Sequence, residues 1–178
     1  MSTKEAHATP SMGVSRLSAT TGAVFLSYAS EDADAARRIC EALRAAGIEV
    51  WLEQSELRGG DTWDSAIRKQ IKTCALFLPI ISANVNNRAE GYFRLEWKLA
   101  VDRSHLIAAE RPFILPLVID GVRGTDALVP DQFRDVQWTC CPAGRASPEF
   151  VARVARLLSS EASPAPPASL GPAGETRH

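Results

Sequence analysis

Glu96 is a carboxylate set among aromatic residues, and this combination could serve chemistry. Tyr92 and Phe93 precede it by about one helical turn, and Trp97 follows it directly. Aromatic neighbours exclude water from a carboxylate, which raises its pKa and prepares it for polar chemistry. A simpler interpretation also fits, in which Glu96 is a surface residue of an amphipathic helix. These four residues do not decide between the two interpretations.

The segment 91–100 must position this carboxylate, and its pattern predicts the first turns of a helix that follows a loop. Leu95, Leu99 and Ala100 recur at the spacing of one helical face. Because Glu96 is adjacent to Leu95, we expect its side chain to point away from the centre of this apolar stripe.

Length and composition indicate one globular domain with tails. The chain has 178 residues, of which 46% are hydrophobic, and a formal net charge of −1. A charge so close to zero gives no argument for binding nucleic acid or a membrane surface. The sequence contains no run of roughly 18 apolar residues, so no transmembrane segment is expected in this chain.

Cysteine usage indicates a reducing compartment. The four cysteines, at positions 40, 74, 140 and 141, form no CxxC motif and have no cluster of histidines beside them. Neither a zinc site nor a disulfide framework is therefore expected. Residues 1–21 lack the compact apolar core of a signal peptide, and we expect a cytoplasmic protein.

Both ends of the chain have the composition of tails. Residues 1–21 are small, polar and without period, which predicts a disordered N-terminal tail. Residues 161–178 are rich in proline and alanine, as tails and linkers are. They suggest either a natural tail or the edge of a domain within a longer protein. The predicted domain spans residues 22–160.

Within this domain, strand-like and helix-like segments alternate. Apolar, β-prone runs predict strands at 23–28, 48–52, 74–81 and 113–120, and a short edge strand at 136–138. Helical spacing predicts helices after Ser30, over 63–71, around Glu96 and over 148–159. This alternation predicts an α/β fold with a doubly wound parallel sheet.

Ser30 and Pro79 allow predictions about where two of these elements begin or end. Ser30 precedes the first helix and is expected to be its N-cap. Pro79 lies inside the third strand, where a proline removes a donor from the hydrogen-bonded ladder. We therefore expect that strand to end or to bulge at Pro79.

Ligands of doubly wound sheets bind outside the carboxyl ends of the strands. The turn at 28–31 and the loops at 53–61 and 82–92 follow predicted strands, so they should share one rim. Glu96 lies just beyond the last of these segments.

Several common doubly wound families are excluded at the same rim. A dinucleotide-binding turn requires glycines, and the turn 27–31 has none. The chain also has no Gly-Lys-Ser/Thr phosphate loop. The third predicted strand ends in Ile80-Ile81-Ser82, without the carboxylate of a phosphoacceptor site. A serine nucleophile elbow and a metal-ligand triad are also missing, and the three histidines, at 7, 105 and 178, are scattered.

Four segments, taken in order, resemble TIR (Toll/interleukin-1 receptor) domains of the bacterial type. Residues 24–32 are similar to the first strand and turn of the family, and 50–53 with 57–60 are similar to its second strand and BB loop. Residues 113–117 resemble the fourth strand, and Phe133 with Trp138 suits the last strand region. The resemblance covers about 22–159 and implies a flavodoxin-like fold with a five-stranded parallel sheet.

The resemblance implies one of two functions. Many TIR domains cleave the nicotinamide–ribose bond of NAD+, giving nicotinamide and ADP-ribose or a cyclised product. Others are scaffolds that signal through TIR–TIR contacts alone. The family's catalytic glutamate lies in a pattern like Ser-x-Trp-Cys-x-x-Glu. Here Glu96 takes the position of that glutamate, with Tyr92 at the tryptophan, Phe93 at the cysteine and Glu90 at the serine.

The enzyme interpretation makes Glu96 the catalytic residue and NAD+ the substrate, with no cofactor and no metal. The substrate-binding residues that it implies are Tyr28, Ala29, Ser30, Leu57, Gly59, Trp63, Tyr92 and Phe93. The amides of the 28–30 turn would face the diphosphate, and Tyr92 and Trp63 would wall the nicotinamide. Ordinary packing remains the alternative for those two aromatics. The 53–61 loop would gate the pocket or dock onto a second TIR domain in self-association, with a plain solvated turn as the alternative.

Overall fold

The computed structural model of the protein describes residues 22–52 and 61–160, with side chains described for 22–52 and 64–159. The strands are β1 (Val24–Ser27), β2 (Val50–Leu52), β3 (Leu76–Ile81), β4 (Leu117–Val118) and β5 (Thr139–Cys140). The helices are α1 (Ala33–Ala45), α2 (Asp61–Thr73), α3 (Ala83–Asn87), α4 (Tyr92–Ser104), α5 (Asp131–Arg134) and α6 (Pro148–Ser160). Short 3-10 turns lie at Ser30–Asp32 and Pro142–Gly144.

The strands form one parallel sheet in the order β2-β1-β3-β4-β5. This is the flavodoxin-like order, in which the direction of winding reverses between β1 and β3. The five-stranded, doubly wound parallel sheet predicted from the sequence is confirmed. A crevice for ligands is expected at the carboxyl ends of β1 and β3, because the connections leave these two neighbours in opposite directions.

Helices cover both faces of the sheet, because alternate residues of each buried strand point to opposite sides. One core cluster joins Val24, Leu26, Leu76 and Leu78 to the apolar faces of α1 and α6. The other joins Phe25, Phe77 and Ile81 to the apolar faces of α2 and α4. Helix α4 is thereby held against the sheet beside the end of β1.

Strand β3 runs unbroken through Pro79, so the expectation that it ends or bulges there is wrong. Phe77 donates its amide to the carbonyl of Phe113, on the side of β4. Pro79, two residues further on, directs its missing donor to that same side. Regular pairing with β4 begins only beyond the proline, at Ile80 and Leu117. The proline therefore interrupts pairing with one neighbour while β3 stays fully paired with β1.

The last two strands are shorter or displaced relative to expectation. The fourth strand was predicted over 113–120, yet regular pairing covers only Leu117–Val118. The edge strand was predicted at 136–138 and forms instead at Thr139–Cys140. Trp138 directly precedes this strand, and its indole N–H donates to the carbonyl of Phe133 at 2.6 Å.

The turn after β1 also differs from expectation. Ser30 does not cap a helix; it begins the 3-10 turn, and α1 starts only at Ala33. The loop predicted at 82–92 contains α3, whose N-cap is Ser82. The Ser82 hydroxyl accepts a hydrogen bond from the amide of Val85 at 3.3 Å. Both serines therefore stand at the rim where the crevice is expected.

Candidate active site

Glu96 lies at the carboxyl end of β1, in the crevice region of the sheet. Its side chain is 4% exposed, and its Oε2 accepts a hydrogen bond from Oγ of Ser27, the last residue of β1. The sequence interpretation of Glu96 as a surface residue of an amphipathic helix is therefore wrong. The structure places a buried carboxylate where ligands of this sheet topology bind.

The buried face of α4 differs from the predicted stripe. Phe93, Glu96, Trp97 and Ala100 face the core, whereas Leu95 and Leu99 are only partly buried. The aromatic side chains rotate the helix to this orientation because they bury more apolar surface than two leucines do. Glu96 therefore points inward, not away from the core as expected.

Packing around Trp97 fixes α4 in this orientation. The Trp97 ring packs edge-on against the Phe93 ring, with 5.2 Å between the ring centroids. Its centroid lies 5.1 Å from that of the Phe133 ring. The guanidinium of Arg94 lies 5.2 Å from the Trp97 ring and donates hydrogen bonds of 2.9 Å to the carbonyls of Val85 and Arg88. This cation ties the loop before α4 to the helix, so the carboxylate is carried on a rigid element.

A cleft of about 600 Å³ opens beside the N-terminus of α4. The described residues that line it are Tyr28, Ser30, Arg88, Glu90, Gly91, Tyr92, Phe93 and Leu95. Four of the predicted substrate-binding residues are thus brought together: Tyr28, Ser30, Tyr92 and Phe93. Glu96 is buried and is not among these lining residues.

Of the other predicted site residues, Ala29 is buried, and the rest lie wholly or in their side chains outside the described residues. Ala29 is 1% exposed and belongs to the core, so the expectation that it contacts substrate finds no support in its position. The backbone of Trp63 lies in α2, but its side chain is outside the described residues. Leu57 and Gly59 also lie outside the described residues.

Arg88 is a cleft residue that sequence reasoning missed. Its Nη1 donates to Oγ of Ser30 at 2.9 Å and lies 3.2 Å from Oε2 of Glu31. The pKa of Glu31 is lowered, chiefly by a hydrogen bond from its own backbone amide and further by Ser30 and Arg88. The available signal was a single arginine in the 82–92 loop, which was expected to reach the rim.

Gly91 shapes the cleft between Arg88 and the aromatic wall. Its φ is +157°, and a Cβ at this position would come within 2.7 Å of the Phe93 ring. Phe93 is buried and cannot move aside cheaply. A residue with a side chain is therefore disfavoured at 91, and the missing Cβ leaves open space beside the guanidinium.

A second buried carboxylate, Asp32, lies behind the same rim. Its Oδ2 accepts from Oγ of Ser82 at 2.5 Å, and its Oδ1 accepts from Nδ2 of Asn84 at 2.7 Å. The pKa of Asp32 is raised by burial, although these two hydrogen bonds oppose the shift. In the sequence Asp32 lies between two other acids, Glu31 and Asp34, and nothing there singles it out. Its contact with residues 50 positions away was not visible.

A family model described as "TIR domain" matches residues 24–158. This chain belongs to the TIR domain family. The resemblance found in the sequence is thereby confirmed for the core of the chain. The site described above is therefore the crevice of a TIR domain, with Glu96 at the end of β1.

Two relatives illustrate the similarity. The NAD(+) hydrolase PdTIR of Paracoccus denitrificans (strain Pd 1222) is 32% identical over 89 residues, which are 49% of this chain and 27% of the relative. A metazoan TIR-STING receptor from C. gigas, solved with 2′,3′-cGAMP, is 20% identical with a TM-score of 0.56. That match covers 78% of this chain and 40% of the other. The chain thus spans less than half the length of both, and the second likeness shows the fold alone.

The described part of the TIR domain has neither a metal-binding cluster nor a membrane-spanning helix. Among the described residues, no group of three or more His, Cys, Asp or Glu side chains is placed to hold a metal ion. Within the same residues, no helix has both the length and the apolar character needed to cross a membrane. The four cysteines all lie in the described ranges and are free thiols.

Proposed function

We propose that this TIR domain cleaves the nicotinamide–ribose bond of NAD+, giving nicotinamide and ADP-ribose or a cyclic ADP-ribose product. One observation carries the proposal: Glu96 is a buried carboxylate at the crevice end of β1, on the helix whose first turn supplies Tyr92 and Phe93 to the cleft wall. The similarity to a relative named NAD(+) hydrolase supports the same activity. The reaction needs neither a metal nor a further cofactor.

Burial of Glu96 is costly, and this cost supports a functional role. Removing a carboxylate from water costs several kcal/mol in real proteins unless hydrogen bonds and opposite charges compensate. The Ser27 hydroxyl supplies one such bond. Groups held in this way concentrate at functional sites, because a desolvated, oriented charge interacts strongly with charge that develops on a substrate.

The chemistry requires little beyond such a charge. When the bond from C1′ of the ribose to the pyridinium nitrogen breaks, its electron pair passes to the nitrogen and nicotinamide leaves as a neutral molecule. The ribose acquires oxocarbenium character, as in glycoside hydrolysis. Glu96 would stabilise that positive charge and hold the ribose hydroxyls. Water then attacks C1′ and loses a proton, giving ADP-ribose; attack by the substrate's own adenine gives the cyclic product.

Cleft residues would position the substrate. Tyr92 is 38% exposed, so its ring is available to stack against the nicotinamide. Tyr28 and Ser30 lie on the same cleft, toward the end of β1. We also propose Trp63, Leu57 and Gly59 as substrate contacts, as the family resemblance implies.

We propose that the domain acts in a bacterial cytoplasm, in defence or signalling, and that it becomes active on self-association. This part of the proposal rests on membership of the TIR family. Self-association would place a second copy of the chain near the cleft. Activity should then rise with protein concentration and with artificial clustering.

A second candidate function is a non-catalytic scaffold that signals through TIR–TIR contacts. The specific observation in its favour is that Glu96 is 4% exposed and is not among the residues that line the cleft. A carboxylate in that position would serve to tie α4 to β1 through Ser27. The exposed ring of Tyr92 would then be a protein contact and not a substrate wall.

Nicotinamide release separates the two functions. Concentrated and artificially clustered protein is incubated with NAD+, and nicotinamide is measured by chromatography for wild type and Glu96→Gln. Because glutamine keeps the size and the acceptor for Ser27 but removes the charge, we expect release to fall by about a hundredfold or more. Glu110→Gln, an identical change at an exposed glutamate outside the cleft, should leave release unchanged.

The scaffold interpretation predicts a different result. If clustered wild-type protein releases no nicotinamide while size-exclusion chromatography shows self-association, the enzyme proposal fails. If Glu96→Gln retains full release, NAD+ cleavage stands but Glu96 is not its catalytic residue. Circular dichroism of each variant establishes that loss of release is not loss of fold.

A further inference from the structure

Arg88 places a cation in the wall of the cleft. Among the described lining residues it is the one with a positive charge, and its side chain is 34% exposed. The hydroxyl of Ser30 at 2.9 Å and the carboxylate of Glu31 at 3.2 Å hold its Nη1. These contacts come from the turn after β1, so they orient the guanidinium toward the crevice end of the sheet.

The surroundings of Arg88 leave room for a ligand. Its Nη2 lies 3.7 Å from the place that a Cβ on Gly91 would occupy. That place stays open, since the same Cβ would clash with the Phe93 ring at 2.7 Å. A ligand lying along Gly91 would therefore have the guanidinium on one side and an aromatic ring on the other.

Phosphate is the group that this arrangement suits. The planar guanidinium matches phosphate oxygens and forms charge-assisted hydrogen bonds with them. The ion pair with Glu31 joins two partly exposed groups, and solvent screening makes such pairs weak. It can therefore be replaced by a stronger contact to a phosphate without a large penalty.

The turn after β1 differs from the one expected from the sequence. The amides of the 28–30 turn, at a helix N-terminus, were expected to face the diphosphate. The structure has a 3-10 turn of three residues, Ser30–Asp32, before α1 begins. Such a turn has fewer aligned peptide dipoles than a long helix. A side-chain cation beside it would add positive charge for the same group.

We propose that Arg88 recognises the diphosphate of the substrate and makes the cleft selective for nicotinamide dinucleotides over the unphosphorylated nucleoside. This inference rests on the proposed NAD+ cleavage, with Glu96 acting at the ribose and Arg88 at the phosphates. Arg88 precedes α4 by four residues and Glu96 lies on its second turn. One substrate molecule crossing the N-terminus of α4 would therefore meet both.

A binding experiment tests the inference without catalysis. Isothermal titration calorimetry measures the affinity for ADP-ribose of wild type, Arg88→Gln and Arg88→Lys. We expect Arg88→Gln to bind about tenfold to a hundredfold more weakly, the range for losing a hydrogen bond to a charged group. Arg88→Lys keeps the charge without the planar fork and should fall between the two. Arg37→Gln, at an arginine that is 59% exposed and paired with Asp34 outside the cleft, should bind like wild type.

Steady-state kinetics of Arg88→Gln distinguish phosphate recognition from a purely structural role, because only the former changes KM for NAD+ selectively. For Arg88→Gln we expect the KM for NAD+ to rise about tenfold or more with kcat changed by less than about threefold. The kcat/KM for nicotinamide riboside, which has no phosphate, should equal that of wild type. A variant that had lost its fold would lose activity on both substrates.

Two results separate this inference from the proposed function. If Arg88→Gln binds ADP-ribose as tightly as wild type and keeps its KM for NAD+, the role of Arg88 is overturned while NAD+ cleavage stands. If clustered wild-type protein cleaves no NAD+ but binds ADP-ribose in an Arg88-dependent way, the phosphate site stands and the proposed function falls.

Discussion

Two buried carboxylates, Glu96 and Asp32, lie at the carboxyl ends of the central strands β1 and β3. Their side chains are 4% and 5% exposed. Each accepts a hydrogen bond from a serine at a strand end: Ser27 closes β1 and donates to Glu96, and Ser82 follows β3 and donates to Asp32. By burial and by type of partner the two sites are nearly alike.

Their positions in the fold differ. Asp32 joins two loops, since both of its oxygens accept from residues after β3, Ser82 and Asn84. None of these three residues lines the cleft. Glu96 lies on α4, whose first turn supplies Tyr92 and Phe93 to the cleft wall. Because the two carboxylates are almost equally buried, burial alone does not favour Glu96 as the catalytic residue; the proposal depends on its helix, which also supplies part of the cleft wall.

The largest expected effect is the difference in stability between a variant of Asp32 and a variant of Glu96. Asp32→Ala removes the acceptor of both Ser82 and Asn84, and unsatisfied buried donors cost about 1–3 kcal/mol each. We expect the free energy of unfolding to fall by about 2–4 kcal/mol. Glu96→Gln, which keeps an acceptor for Ser27 and removes a buried charge, should change it by less than about 1 kcal/mol. Chemical denaturation monitored by circular dichroism measures both.

Equal losses of unfolding free energy in Asp32→Ala and Glu96→Gln would contradict the proposed difference between the two acids. Glu96 would then be a structural tie of the same kind as Asp32. Such a result would also favour the scaffold over the enzyme, because the burial of Glu96 would be explained by packing.

Smaller effects are expected from the two serines that donate to these acids. Substitution of Ser82 should lower stability, whereas substitution of Ser27 should lower nicotinamide release. Ser82 donates to Asp32 and also caps α3, so Ser82→Ala should lower the free energy of unfolding by about 1–2 kcal/mol. Ser27→Ala removes a hydroxyl that orients Glu96, and we expect nicotinamide release to fall about tenfold. A contrary result would be that Ser82→Ala lowers nicotinamide release as much as Ser27→Ala does, with no loss of protein stability. The Ser27–Glu96 and Ser82–Asp32 pairs would then act together in catalysis.

The smallest expected effect is a pH dependence of the Asp32 contribution. Burial raises the folded-state pKa of Asp32, nearby Asp120 and Glu31 add to the shift, and the bonds from Ser82 and Asn84 oppose it. A raised folded pKa means that Asp32 stabilises the fold most below its unfolded pKa of about 3.9. That contribution is lost as pH rises through the folded pKa.

The destabilisation caused by Asp32→Asn should therefore be larger near about pH 4 than near about pH 7. Denaturation of wild type and Asp32→Asn at intervals between these values measures the difference. Asp34→Asn, at an exposed acid two residues away, serves as the control for general charge effects. A difference that grows with pH would mean that the hydrogen bonds outweigh burial at Asp32.

Much of the fold could be predicted from the sequence because its signals are local. Strands β1 and β3 are short apolar runs, and α1 and α6 carry periodic apolar faces, so type and order of the elements were readable. Errors arose where neighbours in space decide the outcome. Pro79 continues β3 because β1 supplies full pairing on the other side. The edge strand forms at Thr139 and Cys140, because these residues pair with Leu117 and Val118 of β4.

The candidate site was predictable in part for the same reason. Tyr92, Phe93 and Glu96 are close in sequence, and the helical period alone places them on neighbouring positions of α4. Which face of α4 is buried was predicted wrongly, since apolar spacing favoured Leu95 and Leu99. The packing of Trp97 against Phe133, 36 positions away, decided the orientation. Arg88 was missed because its partners, Ser30 and Glu31, lie in a distant turn.

The sequence by itself determined a parallel α/β domain of the TIR family with a glutamate among aromatics at one rim, because these features depend on residue type and spacing. The tertiary structure alone decided that Glu96 is buried against Ser27, that Asp32 ties two loops and that Arg88 faces the cleft. Each of these depends on contacts between residues tens of positions apart. Such contacts form only when the sheet assembles and brings the ends of β1 and β3 together.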